Sequence, residues 1–182
     1  RRPWLSSVPE RVVGLGLIGG GLMGRELAGA CARFAHLEPI GVRPQIACVC
    51  DTSPEAVRWF ERLQPRPRLL SDYRQLLADE RVQAVYAAVP HHLHEEIYVA
   101  TLEAGKHLLG GKPFGIDLAA NRAINEAITA RPELLVRCSS ELPFYPGGQE
   151  VARFLRERRF GRVIEVRAAF LHSSDLDPGK PI

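Results

Sequence analysis

The sequence predicts an α/β fold: a doubly wound parallel sheet, followed by the beginning of a truncated α+β second domain. Three observations carry that expectation. Continuous apolar runs recur (RVVGLGLI, QIACVC, VQAVYAAV), segments with helical spacing or helix caps separate them, and a glycine cluster, GGGLMG, closes the first run. Apolar runs without polar alternation suit strands covered on both faces. Their alternation with helices suits parallel pairing.

Each element follows in order. Arg11–Ile18 reads as the first strand, and LMGRELAGACARF as a helix with Met23, Leu27, Ala30 and Phe34 at helical spacing. Pro39 and Pro44 break the pattern, so the second strand is expected over Gln45–Cys50. Ser53 then caps a helix whose first turn holds Pro54. A short strand is expected at Leu69-Leu70, and Ser71-Asp72 caps the helix YRQLLAD. Val82–Val89 is the fourth strand, and the helix His92–Glu103 ends at Gly105. KHLLG is the fifth strand, Asp117 caps the helix DLAANRAINEAITA, and ELLVRCSS is the sixth strand.

After Pro146 the pattern changes. QEVARFLRERR is amphipathic. RVIEVRAAF places Ile164, Val166, Ala168 and Phe170 on one side at period two, the mark of a half-buried strand. HSSDLDPGKPI is turn-like and offers that strand no partner. The expected division is residues 1–144 as the doubly wound domain and 145–182 as the incomplete start of a second domain. The missing initiator Met predicts a trimmed start.

Two overlapping G-x-G-x-x-G patterns exist: Gly14-Gly16-Gly19 and Gly19-Gly21-Gly24. Only the second follows a strand and opens a helix, the context in which such a loop binds a dinucleotide. Its first glycine makes the turn, its second admits the pyrophosphate, and its third lets helix pack on strand. Residues Gly19, Gly20, Gly21, Leu22, Met23 and Gly24 are therefore the expected phosphate cradle, with helix N-terminal amides facing the anion. Gly14 and Gly16 read as strand positions with close packing neighbours. Asp51 ends the second strand, where a carboxylate hydrogen-bonds the adenosine ribose, with Thr52 beside it. It also reads as a cap for the following helix, and both roles can coexist. A carboxylate there repels a 2′-phosphate, so NAD is favoured over NADP. NADP stays open through Arg58, should the loop fold back. The sheet expected is thus Rossmann-type.

Composition bounds the rest. The chain has 182 residues, 46% hydrophobic and 25% charged, with a formal net charge of +3. Its arginines are spread along the chain, so no nucleic-acid partner is expected. No stretch is long enough to span a bilayer, and no apolar segment follows Arg1-Arg2 as a signal peptide would require. Four cysteines (Cys31, Cys48, Cys50, Cys138) show no C-x-x-C spacing, which predicts free thiols, a reducing compartment and a cytoplasmic location. His91, His92 and His94 lack partners at ligand spacing, so no metal is expected.

The run VPHHLHEEIYVATLEAGKHLLGGKPF (Val89–Phe114) is the most specific segment. It places Lys112 just beyond a strand's carboxyl end, followed by Pro113. The run resembles the Gfo/Idh/MocA family of nicotinamide-dependent sugar oxidoreductases, whose N-terminal domains carry a P-x-x-x-H…AGKH…E-K-P series. Pro90, His94, Ala104-Gly105-Lys106-His107 and Lys112-Pro113 match it. Gly111 stands where the family has a glutamate that helps hold the ribose and the lysine. The resemblance implies a catalytic Lys112 that polarises the substrate oxygen, and a cofactor site that includes Val89, Pro90, His91, His94, Lys112 and Pro113. It implies NAD as cofactor, a small sugar or polyol substrate, a homo-oligomer at full length and a large antiparallel sheet after the nucleotide domain. The expected reaction is hydride transfer between nicotinamide and a secondary hydroxyl or ketone of a sugar or cyclitol. Alternatives within the same fold are a non-catalytic nucleotide-sensing regulator, for which Gly111 speaks, and an NAD-assisted glycosidase. For His94 and Lys112 the plainer readings are a packing residue and a solvated strand-end lysine.

Overall fold

The computed structural model of the chain describes residues 10–36, 41–169 and 171. Residues cluster into two compact units, Arg1–Ser140 and Glu141–Ile182.

The first unit is a six-stranded, all-parallel sheet in the order β3-β2-β1-β4-β5-β6. The strands are β1 (Arg11–Ile18), β2 (Val42–Cys50), β3 (Arg68–Leu70), β4 (Ala84–Ala87), β5 (His107–Gly110) and β6 (Val136–Cys138). Helices α1 (Leu22–Arg33), α2 (Pro54–Arg58), α3 (Tyr73–Leu77), α4 (His94–Glu103) and α5 (Leu118–Thr129) connect them. Each cap read from the sequence is made. Ser53 Oγ accepts from the Ala56 amide, Asp72 from Arg74, and Asp117 from Ala120. Gly105, at φ +70°, closes the turn after α4.

Two apolar layers sandwich the sheet. One holds Ile18, Leu76, Val85, Tyr98, Leu102 and Ile124; the other holds Leu17, Val49, Phe60 and Tyr86. Burial on both faces explains why β1 and β2 read as unbroken apolar runs. Gly14 and Gly16 serve this packing, as expected. A Cβ on Gly14 would lie 1.8 Å from the Arg81 carbonyl oxygen, and one on Gly16 would lie 2.5 Å from the Leu76 side chain.

Several elements differ from expectation. β2 begins at Val42 and runs through Pro44. β3 pairs only with Cys48–Cys50, so Pro44 lies on an edge stretch where its missing N–H costs no ladder bond. β4 and β6 are shorter than their apolar runs. The segment before α4 opens with a 3₁₀ turn, His91–Leu93. The expected strand at RVIEVRAAF is not formed over its described residues. Ile164 and Val166 are 91% and 77% exposed, and no described segment pairs with them. A period-two pattern makes a strand only when a ladder partner is present. Phe170 lies outside the described residues. The second unit contains helix α6 (Pro146–Arg156), which begins three residues earlier than its amphipathic pattern, with Pro146 in its first turn.

The cysteines are free. Burial, first of all, pushes the Cys48 and Cys50 thiols up to about 11. Donation to Asp79 adds to this at Cys48, and the Asp72 and Asp51 charges add to it at Cys50. Both stay protonated at neutral pH, whereas Cys138 is exposed at the end of edge strand β6. Brief treatment with one equivalent of N-ethylmaleimide at pH 7 therefore labels Cys138 ahead of Cys48 and Cys50; peptide mass spectrometry reads the order.

Asp79 closes α3 onto β4. Arg81 donates to its carboxylate at 2.7 and 2.9 Å, Cys48 Sγ at 3.3 Å, and Lys106 Nζ reaches its backbone carbonyl at 3.3 Å. The Arg81 hydrogen bonds, chiefly, hold the Asp79 carboxyl well below the usual carboxylate range. A pKa depressed in the folded state stabilises above the unfolded value of about 3.9 and is lost as pH falls below it. Asp79→Asn thus lowers the melting temperature at pH 7. It also flattens its decline between about pH 5 and pH 2, which thermal melts across that range measure.

Candidate functional site

Backbone hydrogen bonds tie the carboxyl ends of five neighbouring strands, β2-β1-β4-β5-β6, into one row. Gly19 N donates to Cys50 O, Ala88 N to Ile18 O, Gly111 N to Ala87 O and Ser139 N to Gly110 O. The strand order reverses direction between β1 and β4, and open α/β sheets bind ligands in the crevice outside such a switch point. A cleft of about 640 Å³ opens there, lined by Gly19, Gly21, Asp51, Thr52, Val89 and Pro90, among others. Its size suits a nucleoside-sized ligand.

The glycine loop is built as the pattern requires. Gly19 has φ +101°, and a Cβ there would lie 2.2 Å from the Ala88 carbonyl oxygen. A Cβ on Gly24 would lie 2.2 Å from the Gly19 carbonyl oxygen, so this glycine brings α1 against the loop. Gly21, the N-cap of α1, has open space where a Cβ would stand. Its bareness serves no internal packing, which fits a backbone position kept open for a phosphate. Asp51 braces the loop: Oδ2 accepts from Gly20 N at 2.7 Å and Oδ1 from Ser53 N at 2.8 Å. It faces the cleft and caps the helix entry at once.

The other expected site residues separate into groups. Leu22 and Met23, in the first turn of α1, are not among the cleft's lining residues and are 74% and 54% exposed. Val89 and Pro90 line the cleft, and His91 is exposed beside them. His94 is 1% exposed and is a packing residue. Its Nδ1 lies 2.6 Å from Pro113 O and its Nε2 lies 3.0 Å from Val89 O. Its ring stacks on Tyr98, one turn further along α4. Tyr98 Oη donates to Gly111 O at 2.8 Å.

The consequence concerns Lys112. The carbonyls at Gly111 and at Pro113, on either side of it, are both held by α4 through positions four apart. The lysine side chain itself is exposed, and among the described residues no ion pair restrains it. A Cβ on Gly111 would meet the Ala87 oxygen at 3.3 Å, a tight contact, and Tyr98 Oη at 3.6 Å, an ordinary one. Gly110 is required by the same ring, since its Cβ would come within 2.8 Å of Tyr98.

In AGKH, Lys106 and His107 serve structure at the opposite end of β5. His107 Nδ1 accepts from Leu135 N at 3.0 Å, which sets the start of β6. Arg58 is exposed and absent from the cleft lining. Sequence reasoning missed Ser71, Asp72, Tyr73, Arg74 and Glu96, which all line the cleft. The available signal was strand order: β3 flanks β2, so its carboxyl end must face the same crevice. Among the described residues no group of three metal-ligating side chains occurs, and no helix is long and apolar enough to cross a membrane.

Fold, glycine loop and cleft-lining carboxylate together define a dinucleotide-binding domain of the doubly wound class. The family model described as "Oxidoreductase family, NAD-binding Rossmann fold" matches residues 13–137, and the chain belongs to this family, Gfo/Idh/MocA. Levoglucosan dehydrogenase of Pseudarthrobacter phenanthrenivorans is 27% identical over 169 residues, covering 92% of this chain and 43% of that protein. Inositol 2-dehydrogenase of Pseudomonas fluorescens is 28% identical over 156 residues, covering 85% and 45%. The solved levoglucosan dehydrogenase in complex with NADH and levoglucosan superposes with a TM-score of 0.76 at 27% identity, over 84% of this chain and 41% of that one. The chain therefore spans less than half the length of these relatives.

Proposed function

We propose that the full-length protein is an NAD-dependent oxidoreductase. It transfers hydride between the nicotinamide and a secondary hydroxyl or ketone of a sugar, cyclitol or related polyol. The observation that carries this reading is the row of strand ends. It sets the Gly19–Gly24 loop, Asp51 and the braced Lys112 segment along one edge of the sheet. The dehydrogenases of levoglucosan and inositol among the relatives support the substrate class.

Bound NAD supplies the hydride acceptor, and the protein supplies placement and electrostatics. The loop amides and the α1 N-terminus hold the pyrophosphate, and Asp51 accepts from the ribose hydroxyls. Lys112 hydrogen-bonds the substrate oxygen and favours its deprotonated form as hydride departs. Residues 145–182 begin the substrate and oligomerisation domain. The test is NADH formation by the full-length protein across a panel of cyclitols and anhydrosugars. Tight NAD binding without turnover of any of them would turn the reading to a nucleotide-sensing regulator, which Gly111 favours by withholding the carboxylate.

A further inference from the structure

The cofactor cleft contains an arginine that is already spoken for. Arg74 is the one guanidinium among its described lining residues, and a guanidinium is what a 2′-phosphate would seek. Three contacts hold it. Arg74 Nη2 lies 3.1 Å from Glu96 Oε1, Nη1 lies 3.7 Å from Asp72 Oδ1, and the guanidinium carbon stands 4.6 Å from the centre of the Tyr73 ring. Tyr73 Oη donates to the same Glu96 oxygen at 2.6 Å, so Glu96 is itself held in place from α3. Asp51 adds a third carboxylate. With one cation against three anions, the cleft opposes a phosphate that carries close to two negative charges.

We propose that Glu96 sets the selectivity of this cleft for NAD over NADP by engaging Arg74, so that the protein carries a masked 2′-phosphate contact. The inference rests on the dinucleotide reading of the site. It assigns selectivity to a residue of α4, 45 positions beyond Asp51. Asp51 repels the extra phosphate, while Glu96 and Asp72 withhold the group that would attract it. The pair is exposed enough for its effect to be modest and salt-dependent, as surface ion pairs are.

Isothermal titration with NAD and with NADP tests this on the wild-type protein, Glu96→Gln, Arg74→Ala and the double variant, each first checked by thermal melt. In Glu96→Gln the NADP-to-NAD ratio of dissociation constants narrows by about fivefold, chiefly through tighter NADP binding; the gain shrinks as salt rises. Adding Arg74→Ala removes the gain. Arg74→Ala alone leaves NADP affinity within about twofold of wild type, because the masked arginine contributes nothing to lose. An unchanged ratio in Glu96→Gln, with both cofactors still bound, overturns the masking. So does a loss of NADP affinity of about fivefold or more in Arg74→Ala alone. Wild-type protein that binds neither cofactor removes the dinucleotide reading and this inference together, a result distinct from an unchanged ratio.

Discussion

Replacing Lys112 by Met in the full-length protein lowers kcat by about 10²–10⁴-fold on any polyol that it oxidises, and leaves NAD affinity within about twofold. The range is that of a positioned proton-handling group in a transition state. The split between kcat and cofactor affinity is expected because the ammonium is exposed beyond β5, while the glycine loop and Asp51 are built from β1, α1 and β2. Initial rates and a cofactor titration measure both. A companion variant separates the lysine from its support. Tyr98→Phe keeps the ring that packs on His94 and Phe114 but deletes the hydroxyl that holds Gly111 O. Misplacing a reacting group costs rate steeply, so kcat falls on the order of tenfold with NAD affinity preserved. Turnover by Lys112→Met at the wild-type rate would remove the lysine from the chemistry.

Two glycines answer differently to one added methyl group. Gly14→Ala drives a Cβ into the Arg81 carbonyl, at 1.8 Å in the present backbone. Overpacking of this kind costs about 1–3 kcal/mol, roughly 2–12 °C of melting temperature for a chain of this size. Gly21→Ala meets nothing within 4 Å and changes stability by no more than about 1 kcal/mol, the scale of an N-cap substitution. Its cost appears in binding, where the methyl occupies the approach to the pyrophosphate and weakens NAD on the order of tenfold. Melting curves and calorimetric titrations of the two variants should therefore give opposite patterns. Equal losses of stability in both would show that the openness at Gly21 serves the fold.

The class of fold was legible because its signals are local. Strands buried on both faces write unbroken apolar runs, caps place Ser53, Asp72 and Asp117 before helices, and a phosphate loop needs Gly19, Gly21 and Gly24 within six residues. These features depend on φ/ψ preferences and short-range hydrogen bonds, which the order of residues determines by itself. The placement of Lys112 and Asp51 was visible for a related reason, since each follows the end of a strand and strand ends share one edge in a parallel sheet. Tertiary structure decided what depends on distant partners. His94 is a buried brace because Pro113, 19 residues on, brings its carbonyl to the ring. Arg74 is masked because Glu96, 22 residues on, meets it across the cleft. Pro44 sits within β2 because β3 leaves that stretch of edge unpaired, and the alternating run from Arg162 forms no strand over its described residues, with which no described segment pairs. A side chain's periodicity announces the face it can offer; only the assembled sheet determines whether anything is there to meet it.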